Sequence, residues 1–340
     1  MLHGHGDNGY NYQQEIVADF SSNVWYGSEP AGLKEYLFDQ WRRVNRYPEV
    51  MAESLTKKIS IHHGLTPDNI LVCNGATESM YIIAQAFSNK RSGIVIPSFS
   101  EYEDACSMHG HILQFSSWKE WTANGPMEGM DLWWLGNPNN PTGAVIRELN
   151  AILQHHPRTL FVVDEAFIEF TREIPSAIPL IAAHPHLVIL RSLTKAFSIP
   201  GLRLGYIIAD KAVIGLLRRS KQPWSVNAMA LEAGHFIFDH YEQISLPLDQ
   251  LLADKAAFIP ALQDAGITVH DSHTHFFLCE TSHGSATQLQ QWLVDEEGIL
   301  IRDAANFRGL GEKHFRLATL SPDKNQLLIN ALKRWQQQRA

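Results

Sequence analysis

Short apolar runs alternate with stretches of helical pattern between about residue 70 and residue 210 of this 340-residue chain. The runs have the length of buried strands and are bounded by polar or turn-forming residues. They lie at residues 70–73, 94–97, 132–135, 160–163, 187–190 and 204–208. The alternation of strands with helices predicts an α/β fold, in which helices cover both faces of a mostly parallel sheet.

The pattern changes after about residue 230. Long helical stretches come first, followed by apolar runs at 266–269 and 275–279 and by a final helix at 325–337. This order predicts a smaller α+β domain, and no glycine- or serine-rich linker marks where it begins. The expected divisions are an N-terminal arm that packs with the small domain (1–24), a large domain (25–230) and a small C-terminal domain (231–340).

Composition and charge argue against several classes of protein. Hydrophobic residues make up 45% of the chain and charged residues 19%, as in an ordinary globular protein. The formal net charge is −8 and no long basic run is present, so neither nucleic acid nor an anionic membrane is expected as a partner. No apolar run approaches the length of a membrane span, and no signal or transit peptide pattern is present. We expect a cytoplasmic protein.

The cysteines and histidines form no familiar disulfide or metal pattern. Cys73, Cys106 and Cys279 are far apart and odd in number, which argues against a disulfide framework and against a thiolate zinc site. The chain has 17 histidines, but none has the i, i+4 helical spacing with a carboxylate that metalloenzyme motifs use. No metal is therefore expected.

The most informative chemical signal is a lysine in a segment rich in hydroxyl groups. Lys195 follows Ser192 and Thr194, and Arg203 comes eight positions later, before a glycine-containing apolar run. A lysine that can lose its proton can bind an aldehyde covalently. Hydroxyl groups and a guanidinium are suited to holding a phosphate. The alternative interpretation is a surface lysine in an ordinary loop.

Two further segments argue for a ligand site. Residues 136–143 read Gly-Asn-Pro-Asn-Asn-Pro-Thr-Gly, and their two X-Pro bonds predict an extended, turning backbone in which one bond could be cis. Asp164 stands at the carboxyl end of the run at 160–163, which is where open α/β sheets bind ligands. The alternatives are an ordinary Pro/Asn turn and an aspartate that pairs with an arginine for structural reasons.

The order of these segments resembles that of the pyridoxal 5′-phosphate (PLP)-dependent enzymes of fold type I, the class I and II aminotransferases. The matching motifs are Asn-Pro-x-Asn-Pro-Thr-Gly, Asp-Glu-Ala, Ser-Leu-Thr-Lys and Gly-Leu-Arg. The resemblance implies that Lys195 carries the cofactor aldehyde and that Asp164 is the partner of the pyridinium nitrogen. It also implies a large domain with a seven-stranded type of sheet and a smaller α+β domain.

The resemblance implies further cofactor contacts. Asn140 is expected to hydrogen-bond the ring oxygen and Phe99 to stack on the ring, although Phe99 could equally be a core residue. Ala76 and Thr77 lie between a predicted strand and a predicted helix, where backbone N–H groups bind phosphate and where Thr77 can also cap the helix. Tyr47, in an Arg-Tyr-Pro segment, is expected to reach the phosphate of a neighbouring subunit, which implies a homodimer.

Two arginines near the C-terminus are candidates for substrate binding. Arg316 lies in a strand-like run, and the resemblance implies that its planar, permanently charged group binds the substrate carboxylate. Arg302 is the second candidate, with a surface salt bridge as its alternative role. Two arginines in one small domain favour a small-molecule substrate that carries both a carboxylate and a phosphate.

Several segments resemble one branch of the family, which holds the threonine-phosphate decarboxylases and the histidinol-phosphate aminotransferases. In the decarboxylases, the residues that correspond to His5, Asn23 and Arg302 face the substrate phosphate, with His3 as an alternative to His5. Phe167 stands where the aminotransferases usually carry a tyrosine that touches the cofactor oxygen. These features favour the decarboxylases.

The implied reaction is decarboxylation of a phosphorylated amino acid, in cobalamin biosynthesis, with transamination of histidinol phosphate or a similar substrate as the alternative. In either reaction Lys195 is the expected proton carrier. The outcome depends on which bond of the substrate α-carbon is held perpendicular to the cofactor ring. Residues 24–27 read Val-Trp-Tyr-Gly, whereas the family usually has Asn-Pro after Asn23, and this departure leaves the exact substrate open.

Overall fold

The computed structural model describes residues 9–339. The strands are β1 (Ala18–Asp19), β2 (Ile70–Cys73), β3 (Arg91–Ile96), β4 (Ile112–Ser117), β5 (Leu132–Gly136), β6 (Leu160–Asp164), β7 (Leu187–Ser192), β8 (Gly205–Ala209), β9 (Ile267–Val269), β10 (Phe276–Thr281), β11 (Ile299–Leu300), β12 (Arg302–Asp303) and β13 (His314–Ala318). The α-helices are α1 (Leu33–Asp39), α2 (Glu53–His62), α3 (Gly75–Ala86), α4 (Glu101–Met108), α5 (Trp118–Asn124), α6 (Leu149–His155), α7 (Lys211–Arg218), α8 (Ala228–Asp239), α9 (Leu248–Asp264), α10 (Ala286–Glu297) and α11 (Pro322–Gln337).

Seven strands form the central sheet in the order β2-β8-β7-β6-β5-β3-β4. Strands β3 to β7 run parallel to one another, and β8 is antiparallel to both of its neighbours. Alternate residues serve opposite cores: Trp133 and Val163 belong to the apolar cluster on one face, Trp134 and Val162 to the cluster on the other. Burial on both faces explains why these strands are continuous apolar runs. The predicted mostly parallel α/β sheet is confirmed.

The carboxyl ends of the central parallel strands meet at one edge of this sheet. Gly136 at the end of β5 is the register partner of Asp164 at the end of β6, and Asp164 is in turn the partner of Leu190 in β7. The Asn-Pro segment, Asp164 and the loop that carries Lys195 therefore leave the sheet side by side. This is the edge at which open α/β sheets bind ligands.

A second, antiparallel sheet has the order β12-β13-β10-β9. One of its faces carries Phe277 and Phe315, which pack with the helices α9, α10 and α11 in a separate apolar core. Because side chains alternate along a strand, Leu278 and Arg316 lie on the other face. The N-terminal strand β1 pairs in parallel with β11, next to this sheet.

The last helix begins three residues earlier than the sequence pattern predicts. α11 starts at Pro322, after Ser321, and Asn325 is already in its first turn. Proline is tolerated there because the first N–H groups of a helix have no intrahelical partner. The three cysteines are free and buried, in agreement with the sequence expectation. None of the helices within residues 9–339 combines the length and the apolar character needed to cross a membrane.

Candidate active site

A cavity of about 210 Å³ opens at the carboxyl edge of the central sheet, between this sheet and the second one. Most of the residues singled out from the sequence line it. They are Asn23, Ala76, Thr77, Phe99, Asn140, Asp164, Ser192, Thr194, Lys195, Arg203, Arg302 and Arg316. Residues from eight separate segments of the chain thus converge on one site.

Asp164 is the buried carboxylate of this cavity. Its Oδ2 accepts a hydrogen bond from the Tyr102 hydroxyl at 2.7 Å, and its Oδ1 accepts one from the Ala166 N–H at 2.9 Å. Burial raises the pKa of Asp164, while the bonds from Tyr102 and Ala166 and the charge of Lys195 act in the opposite direction. Its hydrogen-bond partners are neutral groups and not an arginine. The Asp164 carboxylate is thus held by neutral donors beside Lys195, in the wall of the cavity.

The start of α3 and Arg203 lie together at one corner of the cavity. Gly75 has φ = +81°, and a Cβ placed on it would lie 2.5 Å from Arg203 Nη2. A Cβ on Gly205 would lie 2.8 Å from the backbone nitrogen of Ala76. Both glycines therefore allow the guanidinium and strand β8 to approach the first turn of the helix. Helix N–H groups and a guanidinium together suit a phosphate.

Two hydroxyl groups lie beside this corner. Ser192 Oγ and Thr194 Oγ1 are buried and 2.8 Å apart. Their segment follows β7 directly and leads to Lys195, whose carbonyl oxygen accepts a hydrogen bond from the Trp25 N–H at 3.0 Å. The N-terminal segment thus fixes the backbone of the lysine loop.

Asn140 and Arg316 are hydrogen-bonded to each other in the lining of the cavity. The Asn137–Pro138 and Asn140–Pro141 peptide bonds are both cis. Arg316 Nη1 donates to Asn140 Oδ1 at 2.6 Å, and Arg316 Nη2 donates to the carbonyl oxygen of Ser21 at 2.5 Å. Arg316 Nε is buried and has no hydrogen-bond partner within residues 9–339. This donor is available to a ligand.

Arg302 and Arg316 are direct neighbours across the β12–β13 pair. Both are buried, and burial lowers the pKa of Arg316 to about 9, with the charge of Arg302 as the next cause. Burial likewise lowers the pKa of Arg302 to about 10. Arg302 Nη2 donates to Asn306 Oδ1 at 2.9 Å, and its guanidinium lies 5.1 Å from the centre of the Phe307 ring. Two adjacent buried cations favour a ligand with two negative groups.

The remaining predicted residues lie away from the cavity or outside the described part of the chain. Tyr47 does not line the cavity; its side chain is 85% exposed, and its ring lies 5.4 Å from that of Trp224. His5 and His3 fall outside the described residues. Phe99 does line the cavity and contacts the Tyr102 ring edge-on at 6.1 Å.

The sequence interpretation missed Tyr102 and Phe307. Tyr102 is the second residue of α4 and lies three residues after Phe99, and this spacing could have suggested that it faces the same cavity. Phe307 lines the cavity beside Arg302, but no motif points to it. Both act on groups that the motifs did identify, Asp164 and Arg302.

Known proteins of one family resemble this chain over almost its entire length. The family model described as aminotransferase class I and II matches residues 16–332. A threonine-phosphate decarboxylase of Salmonella typhimurium is 34% identical, over 93% of this chain and 90% of its own. A histidinol-phosphate aminotransferase of Caldanaerobacter subterraneus is 32% identical, over 85% of this chain and 84% of its own. The structure of L-threonine-O-3-phosphate decarboxylase from Porphyromonas gingivalis matches with a TM-score of 0.92 and 39% identity, over 94% of this chain and 100% of the other.

Proposed function

The chain belongs to the aminotransferase class I and II family, and we propose that it is a decarboxylase of L-threonine O-3-phosphate. The observation that carries this proposal is the pair of buried arginines, Arg302 and Arg316, adjacent in one cavity. Threonine phosphate presents a carboxylate and a phosphate on one small molecule, which matches two neighbouring cations. The decarboxylases among the relatives support this choice, and the activity would belong to cobalamin biosynthesis.

The enzyme uses PLP as its cofactor. When bound, PLP supplies an aldehyde for the substrate amine and a ring that withdraws electrons from the bonds of the α-carbon. We assign Asp164 to the ring nitrogen, because its buried carboxylate lines the cavity and is hydrogen-bonded by neutral groups within residues 9–339, so it can pair with a cationic ring nitrogen. Tyr102 and Ala166 hold the two carboxylate oxygens in place. The described residues therefore fit the cofactor.

The phosphate of the cofactor is assigned to the corner at the start of α3. The backbone N–H groups of Ala76 and Thr77, the hydroxyls of Ser192 and Thr194, and the guanidinium of Arg203 surround this corner. All of these groups can donate hydrogen bonds to an anion, and none of them is a carboxylate that would repel it. Asn140 is assigned to the ring oxygen and Phe99 to the face of the ring.

Lys195 is assigned two tasks. Its Nζ would hold the aldehyde of PLP before the substrate amine arrives. With the substrate bound, the same amine would be the group that supplies a proton to the α-carbon once carbon dioxide has left. Lys195 lies in the lining of the cavity, on a loop whose backbone is tied to Trp25.

The substrate clamp selects the reaction. We assign Arg316 to the α-carboxylate, with its Nε as the available donor, and Arg302 with Asn23 to the substrate phosphate. Asn23 is buried, and its Oδ1 lacks a hydrogen-bond partner within residues 9–339; the amide can turn to offer its N–H₂ instead. Holding both ends of the substrate orients the bond to the carboxylate. Phe167 lines the cavity without offering a hydroxyl group.

Product analysis tests the proposal. The PLP-loaded enzyme with O-phospho-L-threonine should release carbon dioxide and aminopropanol phosphate in equal amounts. With histidinol phosphate and 2-oxoglutarate it should form no glutamate at a comparable rate. The reverse result would assign the enzyme to the aminotransferases of the same branch and would overturn the decarboxylase proposal.

Trapping of the cofactor tests Lys195. Borohydride should fix PLP covalently to the wild-type chain but not to Lys195→Ala, in which PLP is held by noncovalent contacts alone. Lys211→Ala, a change of an exposed lysine at the start of α7, is the matched control and should still be labelled. Labelling that persists in Lys195→Ala would show that another lysine carries the aldehyde.

We further propose that the enzyme is a homodimer in which Tyr47 serves the neighbouring site. Large apolar side chains are exposed in the sequence before Tyr47, at Phe38, Trp41 and Val44, and at Trp224, whose ring lies 5.4 Å from that of Tyr47. Monomers rarely expose such a group of side chains without a partner. Mixed dimers of Tyr47→Phe and Lys195→Ala subunits should regain one intact site and therefore activity. A fully active monomer in sedimentation would contradict the dimer.

A further inference from the structure

Three potential metal ligands meet on the second sheet, outside the cavity. His270 directly follows β9, Glu280 belongs to β10 and His314 begins β13. His270 Nε2 lies 2.8 Å from Glu280 Oε1, and His314 Nε2 lies 3.4 Å from the same oxygen. The three ligand atoms lie within 4.8 Å of one another. None of the three residues lines the cavity.

Strand pairing explains why the three side chains converge. Glu280 is the register partner of His314 across the antiparallel β10–β13 pair, so their side chains stand on the same face. The His270 N–H donates to the carbonyl oxygen of Leu278, which extends the β9–β10 pairing to His270. The ligands are therefore held by the backbone of three neighbouring strands rather than by flexible loops.

The backbone of Gly311 orients the His314 ring. The Gly311 N–H donates to His314 Nδ1 at 3.0 Å, and the Gly311 carbonyl oxygen lies 3.1 Å from the same nitrogen. Nδ1 therefore serves as an acceptor, and Nε2 faces the Glu280 carboxylate. A metal ion binds at Nε2 by displacing the proton of that nitrogen.

The site is separate from the substrate cavity, although both use the same face of the sheet. His314 and Arg316 lie two residues apart on β13, and so do Glu280 and Leu278 on β10. Leu278 packs with Ala304 and Phe307 in a small apolar cluster. This cluster occupies the face beside the arginines, and the three ligands lie at the far, partly exposed end.

We propose that His270, Glu280 and His314 form a binding site for one zinc ion. Two imidazole nitrogens and one carboxylate oxygen are a ligand set that zinc accepts, whereas magnesium and calcium prefer oxygen ligands alone. The partly exposed position leaves room for water as a fourth ligand. A bound ion joins β9, β10 and β13, so it stabilises the second sheet without taking part in the reaction.

Calorimetric titration of the PLP-loaded enzyme with zinc chloride tests the site. The wild type should bind one zinc ion per chain. His270→Ala and His314→Ala should each lose this ion or bind it at least about tenfold more weakly. His155→Ala removes an exposed histidine of α6 outside the cluster and is the matched control; it should retain that ion. Zinc should raise the melting temperature of the wild type and of the control, but not of the two ligand variants.

A second variant and a second metal make the test decisive. Glu280→Gln preserves the size of the side chain and removes its charge, so it should fold normally and still bind zinc more weakly. Cobalt(II) should give visible d–d bands in the wild type that are absent in Glu280→Gln, at wavelengths beyond the absorption of the cofactor. Equal zinc binding by the wild type and all three ligand variants, or equal losses in His155→Ala, would overturn the proposal.

Discussion

Two buried arginines, Arg191 and Arg316, lie on strands of different sheets and have opposite electrostatic environments. Arg191, 6% exposed, donates to Glu165 at 3.2 Å and also to Glu169. Burial by itself would lower the pKa of Arg191, but Glu169, Tyr206 and Glu165 outweigh it and raise the pKa. Arg316, 5% exposed, is held by an amide and a backbone carbonyl, and burial lowers its pKa to about 9.

The same contrast exists between two consecutive carboxylates. Glu165 accepts from Arg191 and from Ser176, so its charge is compensated within the chain. Within residues 9–339, Asp164 accepts from a hydroxyl and a backbone N–H, and the cation that acts on its pKa is Lys195, the residue assigned to the cofactor. Burying a charge without an ion-paired partner is costly, so such a group is retained where a ligand supplies an opposite charge. The charges around Arg191 and Glu165 are thus arranged for stability, whereas those of Asp164 and Arg316 in the cavity are arranged for binding.

The largest expected effect comes from Arg191→Met. This change leaves the buried Glu165 and the partly buried Glu169 without their cation and should lower the free energy of unfolding by about 3–5 kcal/mol. Urea unfolding of the PLP-loaded enzyme measures it. Arg172→Met breaks an exposed pair with Asp249, whose atoms are 3.1 Å apart, and should cost less than about 1 kcal/mol. Similar losses in both variants would mean that the buried cluster is not a stabilising unit.

Arg316→Gln should have the opposite signature. The substrate loses a charge-assisted hydrogen bond of about 1.5–3 kcal/mol, which lowers kcat/KM roughly tenfold to more than a hundredfold. The stability should change far less than in Arg191→Met, because an uncompensated buried charge is removed at the same time. Steady-state kinetics and urea unfolding of the same preparation check both statements. A stability loss as large as that of Arg191→Met would make Arg316 a structural residue.

Arg302→Ala tests which of the two anionic groups of the substrate this arginine binds. With O-phospho-L-threonine, the kcat/KM of the variant should fall by a similar factor, roughly tenfold to a hundredfold. Threonine without the phosphate should react poorly with the wild type and hardly worse with the variant. Arg308→Ala removes a neighbouring arginine that pairs with Glu103 and serves as the control. Equal losses on both substrates would show that Arg302 does not bind the phosphate.

The smallest effect is expected from Tyr102→Phe. The hydroxyl of Tyr102 stabilises the ionised form of Asp164, which opposes the rise in pKa caused by burial. Its loss should raise the pKa of Asp164 by an amount that corresponds to about 1 kcal/mol. Asp164 then stays protonated up to a higher pH, so the acidic limb of the profile of kcat/KM against pH should move to higher pH. Tyr81→Phe, which removes a bond to Glu101, should leave that limb in place; a shift of the basic limb alone would contradict the assignment.

Most of the residues that line the cavity could be predicted because their motifs are local. A strand followed by Asn-Pro-x-Asn-Pro-Thr-Gly, an aspartate at a strand end and a lysine after two hydroxyls each occupy a few consecutive residues. Their positions on parallel strands place them at one edge of the sheet, so the structure brings together what the sequence suggested. The roles of these residues toward PLP and substrate remain predictions that the experiments above address.

The zinc site and Tyr102 could not be predicted in the same way. His270, Glu280 and His314 have no informative spacing, because three strands and their register bring them together. A search for histidines one helical turn apart does not detect ligands that meet across a sheet. Tyr102 has an ordinary place in an amphipathic helix, and its meaning depends on the carboxylate 62 residues away.

The sequence by itself determined the order of strands and helices, the α/β architecture and the residues with chemical potential. Hydrophobic periodicity is a local property, and it decides which side chains are buried. Only the tertiary structure decided which buried charges are compensated. Arg191 and Glu165 are 26 residues apart, whereas Arg316 and Ser21 are 295 apart. The electrostatic environment of a side chain is the sum of groups that only folding brings together, and it separates a stabilising arginine from one that awaits a ligand.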